Sequence, residues 1–173
     1  MEWHLYLLRH GIAADYAEDG SYNDSMRPLT DTGRHRTRLV VRALEKMDGK
    51  VDRIFSSPYL RAKQTAEIAA DVLGVETVEE SHSLYPGSTP QELEALLRDI
   101  RQPGENVMLV GHQPHMSMAL AWAISGQNGA MMDMKKAGLA NVRFGGTTFR
   151  GPGMLEWLLT PKWASFIFPG EEW

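Results

Sequence analysis

Cysteine is absent from all 173 residues. Its absence excludes disulfides, thiol nucleophiles and cysteine-ligated zinc, and it fits a reducing compartment. An excess of charge of one sign is lacking as well: the net charge is -4, so neither a nucleic acid nor a membrane surface is an expected partner. No apolar run approaches the roughly 18 to 20 residues of a membrane span. Met1 to Leu8 has no basic leader and only a short apolar run, unlike a secretory signal, so the cytoplasm is the expected address. Repeats, low-complexity tracts and linkers are missing too. The remainder is 43% hydrophobic and 23% charged, as in ordinary soluble proteins. The length suits one domain over residues 1–173 with a real core. Composition alone leaves the oligomeric state open.

Apolar runs that stop at charged or glycine-containing turns predict buried strands at Leu5–Leu8, Val51–Ser57 and Asn106–Gly111, with a shorter one at Val75–Val78. Helical spacing of apolar residues predicts helices over Asp31–Met47, Pro58–Leu73, Pro90–Ile100 and Met116–Ile124. Ser56 or Ser57 is the expected N-cap of the second helix, and Gly74 its stop. Ala140–Phe149 and Met154–Leu159 read as closing strands around Gly151-Pro152-Gly153. Residues 12–27 are polar and turn-rich, a loop over a site. Arg34, Arg36, Arg38 and Arg42 lie mostly off the apolar stripe of the first helix, as a solvated face or a surface for an acidic partner. Alternating strands and helices predict an α/β three-layer sandwich, a mostly parallel sheet with helices on both faces.

Three predicted strands run straight into polar residues: Leu8-Arg9-His10-Gly11, Phe55-Ser56-Ser57-Pro58-Tyr59-Leu60-Arg61 and Val110-Gly111-His112. Ligands bind at the carboxyl ends of strands in such sheets. Arg9, Arg61, His10 and His112 are therefore expected to share one crevice. Arginine donates in a planar fork and suits a phosphate dianion. Phosphoryl transfer is mostly positioning and charge stabilisation, so a cationic cage serves it without a metal. Few acidic residues flank these motifs, and neither a metal nor a cofactor is expected. Neighbouring cations should keep His10 neutral, with one ring nitrogen donating to a backbone carbonyl near Gly11.

These blocks, with Arg27-Pro28-Leu29-Thr30 and Gly33, resemble the histidine phosphatase superfamily, also called phosphoglycerate-mutase-like. The short chain and its ending from Leu155-Glu156-Trp157 to Pro161 are most similar to the SixA-type phosphohistidine phosphatases. The resemblance spans nearly the whole chain. It implies that His10 attacks phosphorus and that Arg9, Arg61 and His112 hold the phosphoryl oxygens. Arg27 would close the pocket from the loop.

One element of the superfamily pattern is missing. Members that cleave phosphate esters carry an acidic proton donor after the third strand, where this chain reads Ser81-His82-Ser83-Leu84. Glu79 and Glu80 read as solvated strand-end charges. An alkoxide needs a positioned acid to leave, whereas the imidazole of phosphohistidine leaves with less help. A phosphorylated protein, such as a signalling phosphotransfer domain, is the expected substrate. The alternatives are a small phosphate ester, with Asp15, Glu18 or Asp24 as substitute acid, and a non-catalytic phosphate-binding module. His82 is a further available histidine. His115 reads as a capping or packing residue, and the aromatic segment with Trp157, Trp163 and Trp173 as a cover over the sheet or a partner patch.

Overall fold

Alternation along the first strand, β1 (Glu2–Arg9), sorts its side chains between the two faces of a central sheet. The computed structural model describes residues 2–100, 104–126, 132–146 and 152–170. The other strands and α-helices among the described residues are α1 (Asp31–Lys46), β2 (Arg53–Ser56), α2 (Leu60–Leu73), β3 (Val78–Glu80), α3 (Pro90–Ile100), β4 (Val107–Gly111), α4 (His115–Ser125), β5 (Leu139–Gly145), β6 (Met154–Leu159) and α5 (Pro161–Ser165). The six strands form one sheet in the order β3-β2-β4-β1-β5-β6. The first four run parallel, and β5 and β6 close one side antiparallel.

Trp3, Leu5 and Leu7 of β1 pack with Leu93 and Leu97 of α3 and with Met116, Ala119 and Leu120 of α4. Tyr6 and Leu8 face the other layer, with Leu39, Val40 and Leu44 of α1 and Ala62, Ala66 and Ala69 of α2. The expected α/β sandwich, with a mostly parallel sheet and helices on both faces, is the observed fold. Each fully buried leucine or valine contributes about 1.5–3 kcal/mol. The strand ends are therefore anchored from both sides.

Several boundaries differ from the sequence reading. Helix α2 begins at Leu60 rather than Pro58, and Tyr59, in an extended conformation, precedes it without a side-chain cap. Ser57 is drawn instead into the site described below. Strand β3 starts at Val78, because Gly74 in the left-handed region and the bond from Val75 N to Ala70 O first close α2. Strand β5 spans Leu139–Gly145; the expected turn at Gly151 lies outside the described residues, as does Trp173. The segment after β6 holds a short helix absent from the reading. Pro161 opens α5, and Thr160 Oγ1 accepts from Trp163 N. Ala164 is buried, and the Arg42 guanidinium of α1 lies 4.4 Å from the centre of the Phe168 ring. Among the described residues, no helix is long and apolar enough to cross a membrane.

Candidate active site

Strands β1, β4 and β2 end at one level: Arg9 pairs with Gly111, and Ser56 with Val110. Beyond them His10 N donates to Gly111 O at 2.9 Å and Ser57 N to Val110 O at 3.0 Å. His10, Ser57 and His112 are thereby held side by side. The two histidine rings lie 5.0 Å apart, centre to centre, and both are buried.

Backbone packing fixes the nucleophile candidate. A Cβ on Gly11 would come within 2.6 Å of Thr37 Oγ1, and one on Gly33 within 2.1 Å of Ile12 O. Only glycine at both positions lets the end of β1 press against the start of α1. Gly11 N also donates to Thr65 Oγ1 at 3.0 Å. His10 Nδ1 lies 2.7 Å from Gly11 O. A carbonyl only accepts, so Nδ1 carries the hydrogen and the Nε2 lone pair is left free. Burial pushes the His10 pKa down to about 4, against the raising effect of the Gly11 bond, and Arg61, Arg9 and Lys136 lower it further. Desolvation thus outweighs the cations that the sequence reading held responsible.

His112 Nε2 is 2.8 Å from the buried Ser57 hydroxyl. Burial lowers its pKa to about 3, helped by His10 and Arg61. Tyr59 meets the His112 ring edge-on at 5.3 Å and Tyr85 at 5.5 Å, and the Arg61 guanidinium lies 5.1 Å from the Tyr59 ring centre. The sequence reading missed Ser57, Tyr59 and Tyr85 as parts of this wall. Tyr59 carried a usable signal, standing two residues before Arg61 in the motif. Exposed His82 meets the Tyr85 ring edge-on at 4.8 Å, and His115 is buried in α4.

The arginines divide between two anchors. Arg61, 7% exposed, donates through both terminal nitrogens to Asp24, including 3.0 Å to Oδ2. Arg27 reaches the same carboxylate at 2.9 Å and donates to Ala14 O at 2.6 Å. Arg9 donates to Met134 O at 2.7 Å. Burial works against ionised Asp24, but hydrogen bonds and charge from Arg61 and Arg27 hold its carboxyl below the usual range. Asp15 and Glu18 are exposed and make no such contact; Asp15 lines a cavity of about 370 Å³ with Tyr16, Tyr22, Asp24 and Arg27. Glu79 pairs with Arg53 and Glu80 with Lys63, in keeping with strand-end charges away from the histidines.

Neutral buried histidines make the fold acid-sensitive. Both folded pKa values lie below the ordinary 6.5. The unfolded chain therefore takes up protons first, and stability is full above pH about 6.5 and falls as pH drops toward 4. NMR titration of the imidazole signals should put the His10 midpoint near pH 4; a midpoint near 6.5 would contradict the burial argument.

The chain is similar to several known proteins. Residues 5–84 match the Histidine phosphatase superfamily (branch 1). An uncharacterized protein of Picosynechococcus sp. is 40% identical over 166 residues, covering 92% of this chain and 97% of its own. The phosphohistidine phosphatase SixA of Escherichia coli is 28% identical over 159 residues, 91% of this chain and 93% of its own. The solved structure of the protein histidine phosphatase SixA complexed with tungstate matches with a TM-score of 0.78 at 28% identity, covering 92% and 97% of the two chains.

Proposed function

Because the chain belongs to the histidine phosphatase superfamily, we propose that it is a metal-independent phosphohistidine phosphatase acting on a phosphorylated protein, with His10 as nucleophile. The observation that carries this reading is the bond from His10 Nδ1 to Gly11 O at 2.7 Å, which leaves Nε2 unprotonated and free to attack. In the first step Nε2 attacks phosphorus. The P–N bond to the substrate imidazole breaks, that imidazole takes a proton from solvent and leaves neutral, and a P–N bond to His10 forms. In the second step water attacks the phosphorus. The bond to His10 breaks, the nitrogen recovers its lone pair, and phosphate leaves with the water's oxygen. Arg9, Arg27, Arg61 and His112 stabilise the charge spread over the equatorial oxygens.

The loop carboxylate supports nitrogen over oxygen as the leaving atom. Asp24 is the acid in contact with Arg61 and Arg27, and their charges keep it ionised. It is thus poorly placed to supply the proton that an alkoxide needs. Hydrolysis of a small ester is the second reading, and it requires Asp24 to leave these arginines and gain a proton.

Two experiments test the proposal. Acid-labile phosphate from phosphoramidate should accumulate on the wild type and be lost in His10→Ala. A protein that neither labels nor turns over any phosphoryl donor is a binding module instead. Turnover of phosphohistidine peptide against a panel of sugar phosphates separates the enzymatic readings; faster ester hydrolysis by orders of magnitude reverses them.

Asp24 also competes with the substrate for Arg61 and Arg27. Asp24→Asn should therefore tighten inhibition by tungstate or inorganic phosphate by up to about tenfold, or roughly 1.4 kcal/mol. An unchanged or weaker inhibition constant contradicts this competition.

A further inference from the structure

Beside the reaction centre lies a second concavity of about 610 Å³. Four separate segments build it. Arg9 comes from the end of β1 and Arg36 from α1, Lys135 and Lys136 from the turn before β5, and Lys162 from α5. The net charge of the chain is -4, so these five cations are a local reversal of sign. Asp133 pairs with Lys135, and no ion pair among the described residues involves Lys136 or Lys162. The walls between the charges are apolar, formed by Ile12, Pro161 and Trp163. Trp163 is 62% exposed and Phe166 67%, their rings 5.7 Å apart. Large aromatics left in water at the mouth of a cationic cavity mark a binding surface rather than core.

The cavity is joined to the reaction centre through Arg9, the residue next to His10, and through Lys136, whose charge is felt at His10. A phosphoryl group on His10 would thus leave adjoining parts of its carrier beside the cavity. We infer that this cavity docks an acidic segment of the phosphorylated protein, with a bulky apolar side chain seated against Trp163 and flanking carboxylates set on Lys136 and Lys162. Charge complementarity selects the partner: one apolar anchor ringed by cations matches one apolar residue ringed by acids.

This inference rests on the phosphohistidine reading and is tested with defined donors. The probes are a synthetic phosphohistidine peptide flanked by glutamates and a leucine, the same peptide flanked by serines, and phosphoramidate, which is too small to reach the cavity. The wild type should show a KM about tenfold lower for the acidic peptide, and the preference should fade with added salt. Lys162→Glu and Trp163→Ala, both at exposed positions, should each erase that preference by raising KM while leaving kcat and phosphoramidate turnover unchanged. Equal KM values for the two peptides in the wild type overturn the inference, as does a loss shared equally by phosphoramidate. If Lys162→Glu weakens a small dianionic ester instead, the cavity is a small-molecule subsite and acidic docking is wrong. A wild type that hydrolyses none of the donors brings down the phosphatase reading and this inference together; hydrolysis without preference brings down this inference alone.

Discussion

Phosphoramidate turnover by His10→Ala is expected to fall by about 10⁴-fold or more, since losing a nucleophile removes the covalent route altogether. The fold should survive. His10 sits at a strand end that is held by backbone bonds, and alanine keeps the bond from its N–H to Gly111 O. Circular dichroism and a melting temperature within a few degrees of wild type would separate lost chemistry from lost structure. Free imidazole supplied to His10→Gly should restore part of the rate, because it can occupy the vacated space and carry the same lone pair. Activity within tenfold of wild type in His10→Ala would place the nucleophile elsewhere.

Gly33→Ala tests the scaffold rather than the chemistry, and two effects of opposite sign compete there. Gly33 lies in α1, where alanine is favoured over glycine by about 1 kcal/mol. Its Cβ would stand 2.1 Å from Ile12 O and 2.9 Å from Ile12 N. These are backbone atoms, tied in turn by the bond from Thr30 N to Ile12 O. They cannot swing aside as a side-chain end can, so sterics should win. The expected net loss is about 3 kcal/mol, or roughly 10 °C in melting temperature for a chain of this size. Turnover should fall as well, because displacing Ile12 drags Gly11 and the carbonyl that orients His10. A stabilised Gly33→Ala would mean that β1 and α1 do not meet as described.

The sequence was most legible where a local rule coincided with a global one. Apolar runs ending in Arg9-His10, Ser56-Ser57 and Gly111-His112 announced both the strands and their shared level, because parallel strands must carry their carboxyl ends on one edge. The bond from His10 to a carbonyl at Gly11 was legible too, since a neutral buried imidazole needs an acceptor for its hydrogen. What could not be read depended on contacts distant along the chain. Asp24 and Arg61 are 37 residues apart, and nothing in either segment signals that one neutralises the other. Ser57 looked like a helix cap because caps are local, yet His112, 55 residues away, claims its hydroxyl. Helix α5 was missed because five residues are too few for a period. The cause of the low His10 pKa was misjudged, because charge shows in the letters and burial does not.

The placing of β1 inside the sheet has a consequence for biosynthesis. Its neighbours are β4, which pairs Leu5 with Val107, and β5, which pairs Glu2 with Gly145. Strand β1 must therefore wait for β4 before it has any partner, and for β5 before it has its second. Contacts so distant in sequence slow folding, and an apolar strand is meanwhile open to the wrong company. A nascent chain halted before β4 would hold His10 and Arg61 yet have no strand to bring them together, so competence should arrive late in synthesis and all at once.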